Sequence, residues 1–169
     1  MNLQRRHLRE TVEIVGIVSI VASLLLLAWE VRQANRIASA EIQMDLAYAY
    51  SDVHINRATT PDFARLFPKL TNPESHLITA TEDSQIEGLA WHYINVFWKA
   101  EVAYESGLMD RAQFDAYIED VAWVVATYPG MHKHLIRIYA TLPPLAGKEI
   151  FQPVAELAAR NQVEQTENQ

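Results

Sequence analysis

Sixteen consecutive residues without a charge, Ile14 to Trp29 (IVGIVSIVASLLLLAW), constrain this chain more than any other feature. At about 1.5 Å per residue they make a helix of about 24 Å, a little short of the roughly 30 Å hydrocarbon layer of a bilayer. Val12 and Val31 extend the run, Glu13 and Glu30 reach toward headgroups, and modest mismatch is tolerated. Trp29 stands where an interfacial aromatic belongs. The run is apolar on every face, which excludes a half-exposed surface helix. The competing reading is a fully buried core helix of a soluble protein, and 169 residues offer little chain to surround one. A transmembrane helix over 12–31 is therefore expected, anchored in lipid by Ile14, Val18, Val21, Leu25 and Trp29.

A cleaved signal peptide fits less well. Ala38-Ser39-Ala40 has the small residues of a cleavage site, but Glu30, Arg32 and Arg36 lie between it and the apolar run. Arg5-Arg6 resembles a twin-arginine signal only until Glu10 and Glu13 follow. For orientation, Arg5, Arg6, Arg9 and the α-amino group precede the span, whereas Arg32 and Arg36 follow it. The positive-inside rule then leans toward an inner-membrane protein with its basic tail (1–11) inside and its domain periplasmic, with a cytoplasmic domain as the open alternative.

Charge separates the two ends. Residues 1–40 balance at +2 and residues 41–169 at −9, within a net charge of −7. An acidic domain is repelled by phosphate backbones and anionic headgroups, so no nucleic acid is expected as a partner. The chain has no cysteine, which excludes disulfides, Cys-ligated zinc, iron–sulfur ligation and a Cys nucleophile.

Behind the span the pattern is helical, giving an all-α fold: one N-terminal transmembrane helix continuing into a small helical bundle over 32–160, then a disordered tail over 161–169. Residues 30–57 contain neither Pro nor Gly, and Val31, Ala34, Ala38, Ile42, Leu46, Ala49 and Val53 recur every three to four positions. One helix from about Glu10 to Arg57 is predicted. Thr60-Pro61 restarts a short helix with Phe63, Leu66 and Phe67 inward, and 68–81 is expected to be irregular. Thr81 is expected to cap a central helix that Gly107 stops, polar only along Gly88, His92, Asn95, Lys99 and Ser106. Asp110 caps the next helix and Tyr128-Pro129-Gly130 ends it. A ten-residue helix around Leu135 follows. The last spans roughly 146–160, kinked or started afresh at Pro153.

The apolar run followed at once by Glu30-Val31-Arg32-Gln33 and Asn35-Arg36 resembles a large set of uncharacterised bacterial single-pass membrane proteins. Pro61-Asp62-Phe63-Ala64-Arg65-Leu66, the aromatic helix around Trp91–Tyr104 and Gly107-Leu108-Met109-Asp110 extend the likeness. Ala34 separates Gln33 from Asn35, which are adjacent in that set. The resemblance implies a membrane-anchored helical fold and carries no activity, cofactor or catalytic residue with it.

Candidate chemistry is sparse. His132 and His134 are two apart, so on a helix they point to different faces, and no carboxylate stands three or four residues on. No metal is expected there; they read as solvated histidines beside Lys133. His92 with Asn95 reads as a polar stripe or a hydrogen-bonded buried spot. Glu101 and Glu105 share a face, as do Asp115 and Glu119 or Asp120, and read as solvated faces. There is no Gly-x-Ser-x-Gly elbow and no glycine-rich phosphate loop.

These signals point away from an enzyme and toward a membrane-anchored interaction module without cofactors. Its expected role is an accessory or stabilising subunit of a membrane complex, or a homo-oligomer; a structural spacer is a further possibility. The bilayer and other membrane subunits, or a second copy, are the expected partners. Ile37, Met44, Tyr48, Trp91 and Trp98 are the candidate partner surface. The alternative is a small enzyme or ligand sensor with its site among the aromatic helices near His92 and Glu101.

Overall fold

A computed structural model describes the backbone of residues 2–75 and 77–167 and the side chains of 12–74 and 77–166. Among these residues the fold is all-α, without a strand. The chain divides into two compact units, Met1–Glu41 and Ile42–Gln169, so the second begins ten residues beyond position 32. The side chains of Arg5, Arg6 and Arg9, on which orientation turns, lie outside the described ones, as do Asn168 and Gln169 of the tail.

The first helix, α1, runs Asn2–Thr59 and contributes to both units. It stops because Thr60 precedes a proline and is pushed into extended backbone (φ −113, ψ 101). A single turn, α2 (Pro61–Ala64), leads into α3 (Leu66–Thr71), which buries Leu66, Phe67 and Leu70. The helix passes through Pro68, where an irregular segment is predicted. Pro68 falls in the first turn, where a backbone N–H has no intrahelical partner to lose.

The central helix α4 (Ala80–Glu105) is capped by Thr79 rather than Thr81. Glu82 N–H donates to Thr79 Oγ1 (3.3 Å) while Glu82 Oε2 accepts from Thr79 N–H (2.9 Å), a reciprocal capping box. Lys69 Nζ donates to both oxygens of the same carboxylate at 2.6 and 2.7 Å, which ties α3 to the start of α4. That lysine bond, with the Thr79 N–H, holds the Glu82 carboxyl down at about 2. Gly107, at φ +70, ends α4 with the Leu108 N–H reaching back to the Ala103 carbonyl, a conformation only glycine takes without strain.

Helix α5 (Arg111–Thr127) is capped by Asp110, which accepts from Gln113 N–H at 2.8 Å. It stops before Pro129, and α6 (His132–Thr141) follows a single 3-10 turn. Gly130 in that turn lies against α3: a Cβ there would meet the Lys69 carbonyl oxygen at 2.8 Å and Leu70 Cα at 2.9 Å. Two short 3-10 turns lead to α7 (Gln152–Glu167). This helix starts afresh with Pro153 in its first turn. It continues through 161–167, read above as tail, since nothing after Pro153 breaks it.

In the second unit, Leu46 and Val53 of α1, most of the apolar face of α4, and the inner faces of α3, α5, α6 and α7 share one core. Phe97, Phe114 and Phe151 are its largest wholly buried side chains. Tyr104 stacks on Phe114 with centroids 4.1 Å apart. Arg111 lies near both rings and forks onto Glu149 (2.5 and 2.8 Å), fastening α5 to the turn before α7.

Candidate functional site

Every side chain from Val12 to Ile37 is exposed, including all five expected anchor residues, with Leu25 at 67%. A core helix would be covered by its own chain, and this run is not. Its two serines bond within the helix: Ser19 Oγ donates to the Val15 carbonyl and Ser23 Oγ to the Ser19 carbonyl, both at 2.8 Å. Hydroxyls bonded to i−4 carbonyls leave no free donor for a hydrocarbon layer to penalise. By length and composition this helix can cross a membrane.

The candidate partner residues fall into distinct settings. Ile37 belongs to the first unit and is exposed. Met44 and Tyr48 are exposed in the second, and with Ile55 they share one outward face of α1; Tyr48 is 63% exposed. Trp91 and Trp98 are half-buried and pack on the core, leaving only their edges.

His92 and Glu101 do not converge. Nine residues apart on α4, they lie on roughly opposite faces, about 13 Å apart along the axis. His92 Nε2 donates to the Ala49 carbonyl of α1 at 3.1 Å. Glu101 is only 4% exposed, where a solvated face is predicted; it accepts from the Ile150 N–H at 3.4 Å. Burial pushes its carboxyl above the ordinary range, partly offset by that N–H.

Of the two histidines expected to be solvated, His134 is buried and His132 half-buried, and both are bonded. His134 is 3% exposed and donates from Nε2 to Asp83 Oδ1 at 3.0 Å, and His132 Nε2 donates to the Val125 carbonyl at 2.8 Å. Lys133, then His134, hold the Asp83 carboxyl below its usual range. Lys133, paired with Asp83, stands on the rim of a broad groove of about 760 Å³ over Ile78, Val125, Ile136 and Leu157.

The polar groups that do converge are ones the sequence pattern did not join, among them Asp120, read above only as part of a solvated face. A cleft of about 330 Å³ lies among the end of α1, α4 and α5, with Tyr50, Arg57, Tyr93, Asp120, Trp123 and Tyr128 on its walls. The Tyr50 hydroxyl is shut away from solvent beside the Asp120 carboxylate, without a partner in good hydrogen-bond geometry. Burial drives its ionisation well above the phenol range, and the nearby Asp120 carboxylate adds to the push. Burial also raises the Asp120 carboxyl, against the Tyr50 hydroxyl, which lowers it. The Tyr93 phenol is raised by burial too, with Arg57 acting in the opposite sense to Asp120. Arg57 lies over the Phe67 ring, 4.3 Å from its centroid. Trp123 and Tyr128 meet edge-on at 5.5 Å and 83°, forming a corner. The spacing of Tyr50, Arg57 and Asp120 held no hint of this, because the three come from two helices far apart in sequence.

No family model, curated protein or solved structure matches the chain.

Proposed function

We propose that the chain is a single-pass bacterial inner-membrane protein whose helical domain works without catalysis, as an accessory or stabilising subunit of a membrane complex. The observation that carries the reading is the uncovered run Val12–Trp29 with its serines bonded inward. The exposed Met44–Tyr48–Ile55 face of α1 supports contact with another chain, since an apolar face left uncovered in a small domain favours association. The likeness to bacterial single-pass proteins around Glu30–Arg36 supports the same placement. The excess of arginines before the span favours a periplasmic domain.

The test is membrane fractionation followed by native mass spectrometry of the detergent-extracted full chain. The expected result is release by detergent but not by alkaline carbonate, in a stable complex with other membrane subunits. A freely soluble monomer without detergent would overturn the anchor. A detergent-released monomer alone would overturn the subunit role. Since the chain has no cysteine, a single Ser51→Cys variant labelled from each side of the membrane reads the orientation, with labelling from outside expected.

A further inference from the structure

The cleft among α1, α4 and α5 has the chemistry of a ligand site. Its volume, about 330 Å³, lies at the lower end of the roughly 300–1,000 Å³ typical of small-molecule sites. We propose that it binds a small zwitterion, one short molecule carrying both an ammonium and an oxyanion. The cation end is defined by the corner that Trp123 and Tyr128 make with their nearly perpendicular rings. The phenol rings of Tyr50 and Tyr93 stand on the same cleft, and Asp120 supplies a carboxylate beside them. Aromatic side chains beside a carboxylate suit an ammonium group, which gains from a ring quadrupole and from the charge.

The anion end is Arg57. Its guanidinium is held over Phe67, an arrangement that stacks one face and leaves the edge N–H groups free to fork onto an oxyanion. Among the described residues neither Arg57 nor Asp120 forms an ion pair, although both border one cleft of opposite charges. The buried Tyr50 hydroxyl stands beside the Asp120 carboxylate outside good hydrogen-bond geometry, so a guest that reaches both groups can complete their bonding. A purely apolar guest would make no use of the Asp120 carboxylate or the Tyr50 hydroxyl. A simple cation would sit near Arg57 with nothing to neutralise it.

The experiment titrates the full-length protein, in a maltoside micelle, with phosphocholine and with phosphoethanolamine, followed by tryptophan fluorescence and calorimetry. Saturable one-to-one binding is expected, with choline and inorganic phosphate each weaker by about tenfold or more. Asp120→Asn and Tyr50→Phe should each weaken the zwitterion by about tenfold. Tyr50→Phe should at the same time leave the thermal midpoint unchanged or raised, since the hydroxyl has no well-formed bond to lose. That separates a ligand role from a structural one. Saturation by the free compounds assigns a soluble zwitterion. Binding seen only in phosphatidylcholine nanodiscs, and lost in the same variants, assigns a lipid headgroup; either result upholds the site. Absence of saturable binding in both settings, choline binding as tightly as phosphocholine, or affinity unchanged in both variants overturns it.

Discussion

Leu25 and Leu46 are both leucines of α1, and they live in opposite worlds. Leu25 is bare, whereas Leu46 has no exposed surface at all. The neighbours of each residue account for the difference. Around Leu25 the helix is apolar on every side, and no other element covers it. Around Leu46 the apolar positions narrow to a stripe through Ile42, Ala49 and Val53, with Gln43, Asp45 and Asp52 turned outward. A stripe is what a protein core can cover, while a full cylinder of apolar side chains needs a solvent that is itself apolar. One helix thus carries two kinds of apolar surface, and the chain itself covers only one of them.

The sharpest way to break this comparison is to charge the bare half. Val21→Arg with Leu25→Arg should drive the chain out of the membrane fraction, because each arginine at mid-span costs about 2.5–3.5 kcal/mol of insertion. The helical circular dichroism of the domain should persist. A variant that stays fully membrane-bound would show that the run is not what holds it there.

Truncation should read the two regions differently. Phe97→Ala empties a wholly buried site on α4 and should lower domain stability by about 3–5 kcal/mol. Leu25→Ala should leave the domain's thermal midpoint where it was. Equal shifts from the two would mean that both halves belong to one core.

A smaller effect is expected at Gly130, where a methyl group collides with the backbone of α3. Gly130→Ala should cost about 1–3 kcal/mol through overpacking. Hydrogen exchange should show the loss at α3 and the 129–131 turn first. No loss at all would mean that α3 yields freely.

The smallest effects are the carboxylates, and their signs oppose. The folded Glu82 carboxyl lies below its unfolded value, at about 2, so its stabilisation is full above the unfolded range and fades as pH falls toward 2. Glu82→Gln should therefore lower the melting temperature at pH 7 and match the parent near pH 2. Burial raises Glu101, so its ionisation opposes folding at higher pH, and Glu101→Gln should raise the melting temperature at pH 8 but not at pH 4. Thermal melts across pH distinguish the two, and parallel shifts would refute both assignments.

Legible in the sequence was whatever a helix decides within a turn or two of itself. Gly107, Asp110 and Pro129 end or start helices through backbone chemistry that needs no distant partner. The apolar run is equally local. Thr81 competes with Thr79 because the two threonines offer the same oxygen, and only Thr79 has Glu82 three residues on to close the box. His134 and Glu101 escape sequence reasoning for a different reason. Their partners, Asp83 and Ile150, stand 51 and 49 residues away, and no local pattern announces such a meeting. The cleft is the extreme case, since its Tyr50 and Asp120 are 70 positions apart on different helices.

Between the apolar run and the compact domain lie twelve residues, Glu30 to Glu41. Even drawn out straight they reach at most roughly 40 Å. With the run seated in lipid, chain connectivity alone keeps the start of the domain within that reach of the bilayer. Any companion fixed in the same bilayer meets it at an effective concentration on the order of millimolar. A recognition surface too weak to assemble two freely diffusing molecules would then suffice, and evolution need not have made it tight.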